Sequence, residues 1–517
     1  MHEQPSWPPC RTCSTVPPRA PKHLNTQCRP CNLPPRRCCH PAIAHPASQF
    51  SSRKAQPFLP SQTKHAQPRH SQTKPARHGK HGQQEGPLQR EFEHSEALRI
   101  ISVISILALV ILVVVGLFAP GLRYSLATPP AAVDTQAFLN ELEPMVSSRI
   151  TRNNQLEVIE NGDHFYEAEL DAMRQARHSI DIEAYIFHKG RLTDRVLEVL
   201  TERAKAGVHV NVVLDSLGSL STRKSYFNAL KRAGGRVEWY HRLRLHNWFI
   251  SNNRTHREMT IVDGSTAFIG GTGYADWWRY PTNNEPRWRD TMVRVQGDAV
   301  LDLQGTFLEN WLEASGQLLD GPDYFPQLTS DPGKATALVV ASTPSTGGST
   351  RARVLFQTLI AAAHKSIDIT TPYFLPDHSM RDELVQAVKR GVVVNIIVPG
   401  KHSDHALTRS SGRSAYGDLL KAGANIYEYE PSMIHAKITI VDGIWGVVGS
   451  TNLDNRSFGI NDEVNLAVLN PDVAARLTRD FEEDISRSRH VTLQDWNSRS
   501  LYERMLEWLG WVIEREQ

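Results

Sequence analysis

The sequence predicts an α/β fold: two tandem α/β/α repeats that share an interface, preceded by one transmembrane helix and a disordered N-terminal arm. Three observations predict it. Residues 155–490 carry the same succession of segments twice. Ile100 to Ala119 is a run of 20 residues without a charge. Residues 1–96 are dominated by Pro, His, Gln, Ser, Arg and Lys, hold 16 of the 31 prolines and have almost no apolar periodicity.

The arm, residues 1–96, buries too little apolar surface to offset chain entropy, so it is expected to be disordered. It contains all six cysteines: Cys10, Cys13, Cys28, Cys31, Cys38 and Cys39. Two CxxC pairs allow a small zinc knuckle; an unstructured arm is the reading adopted. Residues 1–99 hold 15 Lys/Arg against 5 Asp/Glu, leaving 43 against 50 in the remainder. The basic character therefore belongs to the arm. The body lacks the basic excess that a nucleic-acid track requires, and no nucleic-acid partner is expected.

Residues 97–120 are read as a membrane span. As a helix, 20 residues cover roughly 30 Å, the thickness of a bilayer core. Arg99 precedes the run and Pro120-Gly121 ends it. A cleaved signal peptide is the alternative, but the apolar run is long for one. Lys74, Arg77, Lys80, Arg90 and Arg99 lie before the run, against Arg123 and Arg149 after it. That bias predicts a single-pass protein of the cell (inner) membrane, with its body on the exported side.

Residues 121–154 are read as a linker and lead-in helix, 155–325 as repeat one, 336–490 as repeat two and 491–517 as an amphipathic tail. Ala176-Arg177-His178-Ser179-Ile180-Asp181-Ile182 is answered by Ala363-His364-Lys365-Ser366-Ile367-Asp368-Ile369. Met259-Thr260-Ile261-Val262-Asp263-Gly264 is answered by Ile438-Thr439-Ile440-Val441-Asp442-Gly443. The offset between the copies drifts only from 187 to 179 residues, the mark of a duplication. Helices such as 163–177 and 193–206 alternate with β-branched strands such as 180–185 and 208–214, which is the pattern of helices layered on a sheet. In the tail, Leu501, Met505, Leu506, Trp508, Leu509 and Val512 recur at helical spacing, for docking on the body or lying on a membrane.

The chemistry concentrates in repeat two, where His435 and Lys437 precede Asp442 and then Gly449-Ser450-Thr451-Asn452. Residues i and i+2 of a strand share a face, so the imidazole and ammonium are expected to converge. Such a pair suits a phosphate, with a nucleophile or proton carrier beside fixed donors for the oxyanion. In repeat one, His256, Asp263 and Gly270 keep their places, but Glu258 stands for the lysine, Gly271 for the serine and Gly273 for the asparagine. Exchanging a cation for an anion matters: one unit-charge contact at about 4 Å is on the order of 4 kcal/mol at intermediate dielectric. Arg254, Arg257, Arg287 and Arg289 are nearby cations available to offset it.

The pattern His-x-Lys-x4-Asp-x6-Gly-Ser-x-Asn, with its altered upstream copy, resembles the signature of the phospholipase D superfamily. Thr371-Pro372-Tyr373-Phe374-Leu375-Pro376-Asp377 and the run Gly449 to Ser457 are similar to stretches of bacterial cardiolipin synthases. The resemblance covers about residues 155–490. It implies two phospholipase D-like repeats and a phosphatidyltransferase that joins two phosphatidylglycerols, with anionic phospholipids of the membrane as partners and no metal or cofactor. It implies catalytic roles for His256, His435, Lys437, Asp263 and Asp442, with His256 as nucleophile and His435 as general acid/base. It also implies a carboxylate further along that orients the histidine: Glu463 after His435, and Asp290 after His256. Lys437, Ser450 and Asn452 are expected to bind the substrate phosphate. Two further readings stand beside this one: a phospholipase D-type hydrolase, and a non-catalytic lipid-binding member in which Glu258 has ended the chemistry. His241 to Ile250 is read as a lip for anionic headgroups, and Trp277 and Trp278 as either an acyl entrance or packing.

Overall fold

The computed structural model describes residues 98–111, 123–242, 252–282, 285–328, 333–344, 350–505 and 507. The cysteine-bearing arm, most of the expected lip and the last ten residues lie outside these.

Each repeat contributes seven strands to one continuous sheet. In the first these are β1 (Ile150–Glu160), β2 (Ser179–Ala184), β3 (His209–Asp215), β4 (Arg236–Tyr240), β5 (Met259–Val262), β6 (Thr266–Gly270) and β7 (Thr291–Gly297). In the second, β8 (Ala335–Ser342), β9 (Ser366–Thr370), β11 (Val393–Pro399), β12 (Asn425–Tyr429), β13 (Ile438–Val441), β14 (Trp445–Gly449) and β16 (Glu463–Leu469) follow in the same sense. The strand β17 (Ser488–Val491) adds to the second edge, while β10 (Phe374–Leu375) and β15 (Leu453–Asp454) form a separate parallel pair. The sheet runs β17-β12-β11-β9-β13-β14-β16-β8-β1-β7-β6-β5-β2-β3-β4. From its middle outward the two arms read alike, so the duplication in sequence becomes a pseudo-twofold in space. The halves join where β1 pairs antiparallel with β8. The sequence left the halves as neighbours; the structure fuses them into one sheet.

The outer strands β2-β3-β4 and β9-β11-β12 are parallel, which requires helical crossovers. The helix Arg191–Lys205 supplies one, burying Leu192, Val196, Leu200 and Ala204 at four-residue spacing while its charges face water. The Gly190 N–H donates to Thr193 Oγ1 at 2.8 Å at its start. This helix and Gly162–Gln175 cover one face of the first half. Arg351–Ala362 and His378–Lys389 do the same for the second. On the other face, Ala299–Ser315 and Pro471–Ser486 share a core drawn from both halves, in which Phe307 and Trp311 join Ile434, Leu466 and Phe481. Burying each such side chain contributes roughly 1.5–3 kcal/mol, so the halves are held by packing as well as by the sheet.

The structure bears on three sequence expectations. The stretch 121–154, read as linker and lead-in helix, holds a helix at Gln136–Met145, and the first strand begins within it at Ile150. Residues 98–111 are helical, with Leu98 65%, Ile104 60% and Leu109 62% exposed. Among the described residues no helix is long and apolar enough to cross a membrane, and 112–120, the rest of the expected span, lie outside them. In the tail, Glu507 is buried and pairs with Arg499 at 2.8 Å, whereas Leu501 and Met505 are exposed.

Candidate active site

The short strands β5 and β13 each carry a histidine on their approach. His256 lies three residues before β5 and His435 three before β13, so neither is on the strand itself. What holds them extended is a crossing of the two halves. The His256 N–H donates to the Asp462 carbonyl at 2.9 Å, and the Asp462 N–H to the Arg254 carbonyl at 2.9 Å. Symmetrically, the His435 N–H donates to the Arg289 carbonyl at 2.8 Å, and the Arg289 N–H to the Met433 carbonyl at 2.8 Å. Each histidine segment is thus paired with the segment that precedes a carboxylate of the other half.

The carboxylates are consequently exchanged. His256 Nδ1 lies 3.0 Å from both Glu463 oxygens, and His435 Nδ1 lies 3.0 Å from Asp290 Oδ2. Glu463 and Asp290 each pair with a histidine, and in both cases it is the histidine of the opposite repeat. An ionised carboxylate only accepts, so each Nδ1 carries a hydrogen, which leaves Nε2 a lone pair on a neutral ring and an N–H on a protonated one. Trp278 Nε1 donates to the same Asp290 Oδ2 at 3.1 Å, and the Thr291 N–H to Oδ1 at 2.8 Å. Burial works to raise Asp290, but its hydrogen bond to His435, with the charges of His435 and Lys437, outweighs this and holds the carboxyl below its ordinary range. Ser450 donates its hydroxyl hydrogen to Glu463 Oε2.

The two histidines line one cavity of about 300 Å³, together with Glu258, Arg254, Asn452 and Tyr373. Tyr185 and Tyr373 stand edge-on to His256 and His435, at 5.5 and 6.3 Å between ring centres. Lys437 is 5% exposed. Its Nζ is 3.0 Å from His435 Nε2 and donates to the His435 carbonyl at 2.9 Å. Burial brings the ammonium down to about 8, against the pull of Asp290, Glu463 and Glu258. Burial also lowers His435, Lys437 lowers it further, and Asp290 opposes both.

Other expected site residues stand elsewhere. Asp263 and Asp442 occupy the turns at the far ends of β5 and β13, with φ of 52° and 53°. Each starts an Asp-Gly hairpin turn, closed from Ser265 N–H to Val262 O and from Ile444 N–H to Val441 O, both at 3.1 Å. Asp263 accepts the N–H groups of Arg177, His178 and Ser179; Asp442 accepts those of His364, Lys365 and Ser366. Seven residues of extended chain put each roughly 20 Å from its histidine. These aspartates hold the fold, not a substrate. Ser450 is spent on Glu463, while Asn452 does line the cavity, with its Oδ1 buried and without a partner.

Of the four arginines thought able to offset Glu258, only Arg254 lines the cavity. Arg257 donates to Glu309 at 2.8 Å, Arg287 to Asp163 at 2.6 Å, and Arg289 is held between Glu160 and Asp484. Of the expected lip, His241 is described and pairs with Glu313 at 2.7 Å. Trp278 packs against His435 at 5.4 Å between ring centres, so it buttresses the site rather than opening it. Sequence reasoning missed Tyr185 and Asp404; Tyr373 donates to Asp404 at 2.5 Å beside the cavity. Tyr185 directly follows β2 and Tyr373 lies three residues past β9, so the repeat offset does not align them.

Comparison with known proteins finds that a family model, "Cardiolipin synthase, PLD-like domain", matches residues 170–286 and 356–485. The chain is similar to the major cardiolipin synthase of Bacillus subtilis, at 36% identity over 69% of this chain and 74% of that one. It is 35% identical to a cardiolipin synthase of Oceanobacillus iheyensis, over 70% of this chain and 75% of the relative. Among solved structures, the phosphatidylserine synthase of Haemophilus influenzae shares the fold. The TM-score is 0.53 at 12% identity, over 72% of this chain and 96% of that one.

Proposed function

The chain belongs to the phospholipase D superfamily, in its bacterial cardiolipin synthase-like branch, and from that membership we propose a membrane-anchored phosphatidyltransferase that makes cardiolipin from two phosphatidylglycerols. The observation that carries this is the pair of histidines in one cavity, each with its Nε2 presented and its Nδ1 fixed by the other repeat's carboxylate. One imidazole attacks phosphorus, forming a P–N bond as the P–O bond to glycerol breaks. The other starts as imidazolium, with a hydrogen on Nε2 as well as Nδ1, and gives the Nε2 proton to the departing oxygen. The hydroxyl of a second phosphatidylglycerol then returns that proton and takes the phosphatidyl group, releasing the first histidine.

The family resemblance assigns the attack to His256. The electrostatics favour the reverse, because burial and Lys437 keep His435 in the neutral form that a nucleophile needs. We also assign Lys437, whose Nζ lies 3.0 Å from His435 Nε2, to a phosphate oxygen held at that nitrogen. We therefore assign attack to His435 and proton transfer to His256. The exposed apolar helix at 98–111 supports anchoring in a bilayer, and the Lys/Arg bias across the apolar run supports a body on the exported side.

The test uses the full chain in mild detergent with labelled phosphatidylglycerol, following cardiolipin, phosphatidic acid and glycerol together. Cardiolipin with glycerol is expected, lost on replacing either histidine by alanine. Phosphatidic acid in place of cardiolipin would make the protein a hydrolase. Acid-labile label trapped by rapid quenching is expected on the peptide containing His435.

A further inference from the structure

Glu258 fills the lysine position of the first repeat, and its surroundings fit a ligand-binding acid better than a decayed motif. It is 3% exposed, and its Oε1 accepts the Tyr185 N–H at 3.1 Å. Its Oε2 is buried without a hydrogen-bond partner, while the side chain lines the cavity with both histidines. A buried polar oxygen left unpaired is costly, so a group in this state is either strained or awaiting a partner. Burial raises its pKa well above the ordinary range, Glu183 adds to the rise, and the Tyr185 and Ile186 amides and the Lys437 charge oppose it.

The other two departures from the motif fit around it. A Cβ on Gly273 would fall 3.1 Å from Glu258 Oε1 and 2.5 Å from the Ile186 carbonyl, so the asparagine of the intact motif has no room beside this glutamate. A Cβ on Gly271 would fall 2.5 Å from Lys437 Cδ and 3.0 Å from its Nζ. The first glycine gives space to the acid, and the second to the lysine of the opposite repeat. Three independent losses would have no reason to interlock in this way.

We propose that Glu258 is a substrate-binding residue whose carboxylic acid donates from Oε2 to a non-bridging phosphate oxygen of the bound phospholipid, in the place of the absent lysine. The inference rests on the phosphatidyltransferase reading of the cavity. An acid O–H to an anionic oxygen is a strong, charge-assisted hydrogen bond. Lys437 supplies a single positive charge and Glu258 a neutral donor. Glu258 thereby adds a hydrogen bond without adding a charge, which suits a phosphodiester with its single negative charge.

The deciding measurement is infrared difference spectroscopy of the full chain in detergent, with diethyl phosphate as a monoanionic phosphodiester probe. A carboxylic-acid carbonyl band is expected at neutral pH. It should move to lower frequency on adding the probe and be absent in Glu258→Gln. A band that stays still with saturating probe, or no band removed by that variant, would overturn the proposal. In turnover of phosphatidylglycerol, Glu258→Gln keeps a donor and should lose at most about tenfold, whereas Glu258→Ala should lose about 10²-fold. Equal losses in the two variants would also overturn it. A moving band in a protein that turns over no phospholipid would sink the transferase reading and leave the donor standing. Cardiolipin formation with an unmoved band would do the opposite.

Discussion

The two motif copies occupy equivalent places in one sheet, yet they solve the same problem with opposite chemistry. Beside His435 stands a buried ammonium, Lys437, that is not part of the cavity lining; beside His256 the lining itself carries a buried carboxyl, Glu258. Around His435 the support for the carboxylate comes from an indole, Trp278 on Asp290; around His256 it comes from a hydroxyl, Ser450 on Glu463. What both copies keep is the histidine, its carboxylate and the backbone crossing that brings them together. The comparison separates what phosphoryl transfer demands from what one particular wall supplies.

The largest effects should fall on what is shared. Replacing His435 or His256 by alanine is expected to cost at least about 10³-fold in kcat, since each removes a group that makes or breaks a bond. A surviving rate in either variant, measured by cardiolipin release, would mean that the copies are not equal partners. Next comes the asymmetric cation. Lys437→Met should lower kcat by about 10²–10³-fold. In the unaltered protein the rate should fall as pH rises through about 8, where the ammonium loses its charge. Lys437→Arg should move that alkaline limb upward, and an unmoved limb would assign it to another group.

The exchange of carboxylates makes a prediction of its own. In Glu463→Gln the Nδ1 proton resonance of His256 should shift and that of His435 stay; in Asp290→Asn the reverse is expected. Each substitution should cost about 10²-fold in kcat. Histidine resonances responding within their own repeat would contradict the crossed pairing. The smallest effects sharpen the comparison by swapping small residues. Gly271→Ala should lower activity about tenfold by displacing Lys437, whereas Ser450→Gly should lose only the support of Glu463, on the order of 1 kcal/mol. Asp263→Gly and Asp442→Gly belong to the same scale. They should lower the melting temperature through lost N–H acceptors and leave kcat unchanged.

Much of this was legible in the sequence, because the duplication is written in contiguous segments and the histidine motifs are short. The alternation of helix and strand, the strands within a residue or two, and both histidines follow from local pattern. The exchange of Glu463 and Asp290 does not, since it depends on parallel bridges between segments that lie far apart in the chain, with His256 and Glu463 207 residues apart and Asp290 and His435 145. Asp263 and Asp442 misled for a physical reason. Fixed spacing from a histidine is shared by residues that act and by residues that shape a turn, and an Asp-Gly pair between β-branched runs signals the turn. The glycines at 271 and 273 read as losses in one dimension; only in space do they become room for Lys437 and Glu258.

The crossing between repeats has a consequence for how such a site can change. Because each histidine borrows its carboxylate from the other half, neither half is a working unit by itself. An assembly of two identical subunits would have to accept every substitution twice, once at each side of the axis. A covalently joined pair escapes that constraint, and one side can give up its lysine while the other keeps it. Cutting this chain between the repeats and mixing the fragments should therefore restore activity only for unlike pieces. The tandem arrangement would permit the two proposed jobs, attack and proton transfer, to be refined separately within one symmetric frame.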